Sequence, residues 1–295
     1  MPTYAYETVD VFTNKPFGGN PLAVFTNAQG MSDAEMQSLA AEMNYSETTF
    51  VLPPIDAKHS ARVRIFHRTA EMPFAGHPNV GTAFVLARHG RDRDGGFLFE
   101  EMAGLVDVKV RRDAQGVATG AVIAAPQALS RYVELSVDDI AACASIASSD
   151  VVTSAHRPIQ ASVGVKFILA EVKGDALTRA LPDVAAYRKL DAATPALDKR
   201  VSIFLYARDG DNIRARMFAP LAGTFEDPAT GSASATLAAL LLSLDGGDKA
   251  SFTLTQGVEM KRPSLLHLTA HRAEDGYRAT VGGECAPMFR GEVTL

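Results

Sequence analysis

Glu71-Met72-Pro73-Phe74-Ala75-Gly76-His77-Pro78-Asn79-Val80-Gly81-Thr82-Ala83 has a distant second copy in the chain, Phe225-Glu226-Asp227-Pro228-Ala229-Thr230-Gly231-Ser232-Ala233. With the prolines aligned, Pro78, Gly81, Thr82 and Ala83 fall on Pro228, Gly231, Ser232 and Ala233 at an offset of 150. A second shared word lies upstream of each copy, Arg62-Val63-Arg64-Ile65-Phe66 and Arg214-Ala215-Arg216-Met217-Phe218, at an offset of 152. The two-residue slip falls in the loop between the words. A repeated strand-like segment, loop and Gly-Thr/Ser-Ala helix start predicts two halves of similar fold with a site built between them.

Downstream of the first loop, Asn79 to His89 reads as a helix with Val80, Ala83, Phe84, Val85, Leu86 and Ala87 spread around its circumference. The matching stretch, Ser232 to Leu244, carries no charge at all. A helix that is apolar or small on every side lies inside its domain. The expected fold is therefore α+β, with two similar domains, each a mixed β-sheet wrapped around one central helix whose N-terminus opens at the repeated loop. The expected boundaries are 1–127 and 128–283, with the terminal strand 284–295 a candidate to complete the first domain.

The rest of the chain fits this frame. Tyr4 to Phe12 and Leu22 to Phe25 read as strands around the Pro16-Phe17-Gly18-Gly19-Asn20-Pro21 loop. Ser32-Asp33-Ala34-Glu35 has capping-box form, and Met36, Leu39, Ala40 and Met43 mark one face of a helix ending near Asn44. Glu47 follows directly and leads into the β-branched run Thr48 to Pro53. Ala124 to Arg131 reads as a crossover, and Ser136 to Ile140 as a second capped helix start. Further strands are expected at Val163–Val172, Val201–Tyr206, Arg214–Phe218, Thr253–Val258 and Leu265–Thr269, with a last one from Tyr277.

Composition narrows the function. A chain of 295 residues with 47% hydrophobic and 21% charged residues is that of a globular protein, and a net charge of -5 offers no basic stripe for nucleic acid. Two cysteines, Cys143 and Cys285, are too few for a disulfide framework and stand in no metal-ligand spacing, which points to a reducing compartment. The histidines show no metal-site pairing, so no metal is expected. Met1-Pro2-Thr3-Tyr4 lacks a signal-peptide pattern, and no apolar run approaches the roughly 20 residues of a membrane helix. A cytoplasmic protein without membrane attachment is expected. No Gly-x-Gly-x-x-Gly or Walker loop follows a strand, which disfavours nucleotide chemistry.

Two helix N-termini opening on one cleft would offer backbone N–H groups and positive dipole ends to a carboxylate. Gly76, Gly81, Gly231 and Ser232 would permit close backbone approach. His77 and Asp227 each stand just before a proline, so the repeat places them on opposite walls, an arrangement suited to proton transfer on an anionic small molecule. Read singly, Gly-His-Pro and Asp-Pro are most often turns, and Glu47 a solvated junction residue.

Five blocks in order carry a resemblance: Asp10-Val11-Phe12-Thr13 with Phe17-Gly18-Gly19-Asn20-Pro21-Leu22-Ala23-Val24; Asn44-Tyr45-Ser46-Glu47-Thr48-Thr49-Phe50-Val51; Pro73 to Pro78; Glu226 to Ala233; and Gln256-Gly257-Val258-Glu259-Met260 with Arg262-Pro263-Ser264. Together they resemble the phenazine biosynthesis PhzF-like family over nearly the whole chain. The resemblance implies a diaminopimelate-epimerase-like fold of two domains, cofactor-free and commonly homodimeric, with the active site in the interdomain cleft. It assigns Glu47 as the acid/base and His77 and Asp227 as further catalytic residues, with Asn20, Ser46, Gly76, Gly231 and Ser232 around the substrate. Ala75 and Pro228 stand near the places where related racemases carry thiols, so a two-thiol mechanism is not expected. Tyr45 and Lys261 depart from the family pattern.

The expected activity is a cofactor-independent proton shift on a small carboxylate resembling trans-2,3-dihydro-3-hydroxyanthranilate, with the Glu47 pKa best moved upward by a closed cleft that Phe17 and Tyr45 help to line. Two rivals use the same residues: a non-thiol epimerase or racemase of an amino-acid-like substrate, and a catalytically idle protein that binds a small acid.

Overall fold

The computed structural model describes residues 1–295, which divide into two compact units, 1–126 with 281–295, and 127–280. The first unit opens with an antiparallel pair, β1 (Thr3–Val11) and β2 (Asn20–Phe25), followed by α1 (Asp33–Met43). Strands β3 (Glu47–Leu52), β4 (Ala61–His67) and the short β5 (Glu71–Met72) lead to α2 (Gly76–Arg88). The unit then adds the meander β6 (Gly96–Glu101), β7 (Gly104–Arg112) and β8 (Ala118–Ala124). Its sheet is mixed, since β3 runs parallel to β2 and antiparallel to β4.

Helix α2 is buried along its whole length from Gly76 to Ala87 and packs against β1, β2, β3, β7 and β8. Gly81 makes that packing possible. A Cβ there would stand 2.6 Å from Leu22 Cδ2 and 2.7 Å from Val11 Cγ2, so this glycine serves helix-on-sheet contact rather than approach to a ligand.

The second unit begins with β9 (Ser130–Glu134) and α3 (Val137–Ala144), then β10 (Val151–Val152), β11 (Ile159–Ser162) and β12 (Lys166–Val172). Helices α4 (Gly174–Arg179) and α5 (Val184–Ala193) precede β13 (Ile203–Asp209), β14 (Asn212–Ala219) and β15 (Thr224–Asp227). Helix α6 (Gly231–Asp245) is buried from Ala233 to Leu242 and packs against β11 and β12 and against β16 (Lys249–Gln256) and β17 (Ser264–Ala273). The last strand, β18 (Gly276–Thr294), begins in the second unit and ends in the first, where it pairs antiparallel with β1 from Thr3↔Thr294 to Val11↔Cys285. No helix is long and apolar enough to cross a membrane.

Several expectations change. Helix α2 starts at Gly76 rather than Asn79: His77 and Pro78 form its first turn, where a proline loses no intrahelical bond because those N–H groups have none to make. Residues read as a crossover into Arg131 instead start strand β9 at Ser130, paired with β11. The strand expected over Val163–Val172 begins only at Lys166, because residues 163–165 turn the chain back from β11, with Ser162 opposite Lys166.

The register of the repeat is also different. Arg64 grips Glu71 through two nitrogens at 2.7 and 2.6 Å, and Arg216 grips Glu226 in the same way at 2.8 and 2.9 Å. Glu71 and Glu226 each stand five residues before a helix start, Gly76 and Gly231, at a common offset of 155. On that frame His77 corresponds to Ser232, and Asp227 to Met72. The proline alignment at 150 missed this because Pro78 lies inside its helix whereas Pro228 precedes its own.

Replacing Gly81 by alanine forces the Leu22 and Val11 side chains apart. A loss of about 1–3 kcal/mol is expected, read as a lower urea midpoint at unchanged slope.

Candidate active site

In the first unit the structure brings Asn20, Ser46, Glu47, Gly76 and His77 together at the start of α2. Asn20 opens β2 and is fully buried. The loop that delivers it is held by Asp10, whose Oδ2 accepts the Phe17 N–H at 2.8 Å, and by Gly19, where φ is +61° and a Cβ would sit 2.3 Å from Val11 O. Phe17 itself has a φ of 69°, a conformation that side chains rarely adopt outside functional or tight segments. It is 72% exposed. Glu47 opens β3 beside Leu22 of β2, with its side chain only 14% exposed. It is not the solvated junction residue that its place after α1 suggests.

One chain of contacts fixes the His77 tautomer. Ser46 Oγ donates to Asn20 Oδ1 at 2.9 Å, which turns the Asn20 amide nitrogen toward His77 Nδ1 at 3.4 Å. Nδ1 is then an acceptor, and the ring proton resides on Nε2. That nitrogen lies 3.5 Å from Glu47 Oε2. Burial pushes the His77 pKa down to about 3, so this is a contact between a neutral imidazole and a carboxylate and not an ion pair. Nε2–H has no protein acceptor in hydrogen-bonding geometry, which makes it a buried donor open to a substrate oxygen.

In the second unit Asp227 ends β15, 7% exposed, four residues before α6. Thr230 Oγ1 donates to Asp227 Oδ2 at 2.5 Å. Gln256 clamps the loop from the other side: its Nε2 donates to Asp227 O at 2.7 Å and to Thr230 Oγ1 at 3.0 Å, while its Oε1 accepts the Thr230 N–H at 3.0 Å. Ser264 Oγ donates to Pro228 O at 2.8 Å. Gly257, at a φ of +75°, lets the backbone pass where a Cβ would meet Pro228 O at 2.6 Å. The Gln256-Gly257 and Arg262-Pro263-Ser264 block thus acts as the scaffold of the Asp227 loop. Gly231 and Ser232 form the first turn of α6.

The two central helices share a property that the other long helices lack. Side chains cap α1, α3 and α5, from Ser32, Ser136 and Asp183. Neither α2 nor α6 has a side-chain cap: Ala75 has nothing to offer, and the Thr230 hydroxyl is committed to Asp227. First-turn N–H groups left in this way bind anions well. Sequence inspection assigned no role to Thr230, Gln256 or Ser264. Only the recurrence of Gln256-Gly257 and Ser264 among the family blocks signalled them.

A largely shielded carboxylate facing a neutral imidazole, beside an uncapped helix start, is an arrangement able to move a proton on a small anion. The profile of the phenazine biosynthesis-like protein family matches residues 9–291. A trans-2,3-dihydro-3-hydroxyanthranilate isomerase of Pseudomonas chlororaphis is 35% identical over 299 residues, covering 98% of this chain and 99% of its own. Among solved structures, the PhzF-family phenazine biosynthesis protein of Bacillus anthracis superposes with a TM-score of 0.87 at 23% identity, over 100% of both chains. A predicted epimerase of Pseudomonas aeruginosa superposes with a TM-score of 0.80 at 31% identity, over 99% of both. The fold is epimerase-like, and the chain belongs to the phenazine biosynthesis-like family as an isomerase of the PhzF type.

A neutral His77 has a measurable signature. Its ring signals in nuclear magnetic resonance are expected to stay constant from pH 8 to 5, with the proton on Nε2. Because the unfolded imidazole takes up its proton near 6.5 and the folded one only near 3, this residue makes stability fall as pH drops below 6.5, a slope that His77→Gln removes. In the second unit, Gln256→Leu leaves a buried N–H and a buried carbonyl unpaired and is expected to lower stability by roughly 2–4 kcal/mol in chemical denaturation.

Proposed function

We propose that the substrate is trans-2,3-dihydro-3-hydroxyanthranilate or a close carboxylate analogue, and that Glu47 carries the proton between two carbons of it. The carboxylate oxygen takes a proton from the activated carbon, the electron pair delocalises into the ring system, and the same proton returns to another carbon. No atom is gained or lost. The neutral His77 Nε2–H serves the substrate as a hydrogen-bond donor and does not compete for the shuttled proton. Asp227, held by Thr230 and Gln256, binds a polar group of the substrate. The uncapped starts of α2 and α6 at Gly76, Gly231 and Ser232 offer N–H groups to a carboxylate, with Asn20 and Ser46 supporting His77. No cofactor takes part, and the working form is a homodimer.

The single observation that carries this reading is Glu47 at 3.5 Å from a histidine that burial keeps uncharged. A charged imidazole in that place would hold Glu47 as an ion pair and deny it the proton.

The decisive experiment follows turnover of trans-2,3-dihydro-3-hydroxyanthranilate in heavy water. Retention of the substrate's own hydrogen at the new position is expected. Exchange with solvent at an inverted centre would indicate the epimerase mechanism instead. Glu47→Gln is expected to lower kcat by a factor of roughly 100 to 10,000 with little change in substrate affinity. Full turnover by that variant would remove Glu47 from the mechanism.

A further inference from the structure

Glu101 ends β6 in a hairpin that touches the loop before α2. Its neighbour Ala103 donates its N–H to Pro73 O at 3.0 Å, just ahead of the Phe74-Ala75-Gly76-His77 segment. On the far side of that segment is Asn79, completely buried, whose Nδ2 donates to Ala75 O at 3.0 Å. A carbonyl oxygen can only accept, so this contact fixes the orientation of the Asn79 amide. Asn79 Oδ1 has no donor, and neither has either oxygen of Glu101, all three being shielded from solvent. The one donor beside them is the second N–H of Asn79 Nδ2, which cannot serve all three, and folded proteins rarely leave buried acceptors unmatched.

We propose that Glu101 is a positioning residue that carries a proton in the working enzyme, its carboxyl O–H finding an acceptor in Asn79 Oδ1 and thereby tying the β6–β7 hairpin to the first turn of α2. With Ala103 on Pro73, the hairpin then holds the His77 segment at both ends. Burial supports the neutral form, raising the Glu101 pKa to about 8, while the Asn79 side chain beside it pulls in the opposite direction.

The charged surroundings are satisfied elsewhere. A cavity of about 170 Å³ is lined by Glu101 itself together with Arg62 and Arg64 of β4, Glu71 of β5 and Glu100 of β6. Arg64 is held by Glu71 and Asp33, and Glu100 by His59 and the N–H groups of Ile55 and Asp56. Gly104, the β7 partner of Glu101, has no side chain, and Pro73, Phe74 and Ala75 have none that titrates. On α2 the nearby titratable group is His77, kept neutral by burial. Above about pH 8 Glu101 becomes an anion whose oxygens face another acceptor, and the tie is lost.

This inference deepens the isomerase reading, and its tests are separable from it. An infrared band of a neutral carboxyl is expected in the wild-type protein at pH 7 and absent in Glu101→Gln. Finding only carboxylate bands in the wild type, as from an ion solvated through the cavity, would overturn the proposal. Amide exchange from Asn79 to Gly81, corrected for intrinsic base catalysis, is expected to accelerate at least threefold between pH 7 and 9 in the wild type. It should stay flat in Glu101→Gln, whose amide keeps a donor at every pH. An equal rise in both proteins would sink the idea.

With trans-2,3-dihydro-3-hydroxyanthranilate as probe, wild-type kcat is expected to fall above pH 8 at steady KM. Glu101→Gln should abolish that limb, and Glu101→Leu should lower kcat about tenfold at all pH values. An alkaline limb that persists in Glu101→Gln counts against the proposal. Failure of the wild type to turn over that compound counts against the substrate assignment, while the infrared and exchange results decide Glu101 by themselves. In thermal unfolding, Glu101→Gln should gain on the wild type as pH rises from 4.5 to about 8 and no further, because the folded pKa lies above the unfolded one.

Discussion

A helix enclosed on every side must still do something with the N–H groups of its first turn, and this constraint organises the structure. Burial of α2 and α6 supplies much of the apolar contact in their units, yet it also strands polar groups at the point where each helix begins. Polar side chains could have closed both ends, as they do for α1, α3 and α5. At α2 the cap position is an alanine, and at α6 the capping hydroxyl is drawn away by Asp227. First-turn N–H groups thus go without a side-chain cap at both helix starts, a setting that suits an anion.

The surrounding residues keep those starts in place. Arg64 on Glu71 and Arg216 on Glu226 brace the segments that enter the helices, each by a two-pronged contact from a neighbouring strand. Gln256 satisfies both a donor and an acceptor of the Asp227 loop, so this loop has little freedom to relax. On the other unit, Ser46, Asn20 and His77 form a directional relay of hydrogen bonds. Its polarity decides which ring nitrogen bears the proton, and burial decides that there is only one.

Much of this was legible in the sequence where local chemistry and periodicity agree. The Ser32 and Ser136 caps, the all-round apolar character of α6 and the Arg-x-Arg strands follow from residue type alone. Pro78 misled, because a proline is a boundary signal in most contexts and is neutral only in a first turn. Gly81 looked like a binding glycine and proved to be a packing one, since the methyl groups of Leu22 and Val11 that require it are distant in sequence. The β6–β8 meander went unread although β7 alternates, with Val106 and Val108 buried and Asp107 and Lys109 exposed. Gln256 and Ser264 act through partners that only folding brings near.

The route of β18 has a consequence for biosynthesis. Residues 281–294 of this strand cover the outer edge of β1, so the first unit lacks one of its strands until that segment has left the ribosome. Until then β1 presents unpaired backbone groups to its surroundings, a template for unwanted pairing between chains. The carboxy-terminal unit can gather its own strands earlier. Nascent chains stalled or clipped near residue 280 should therefore be the sticky ones.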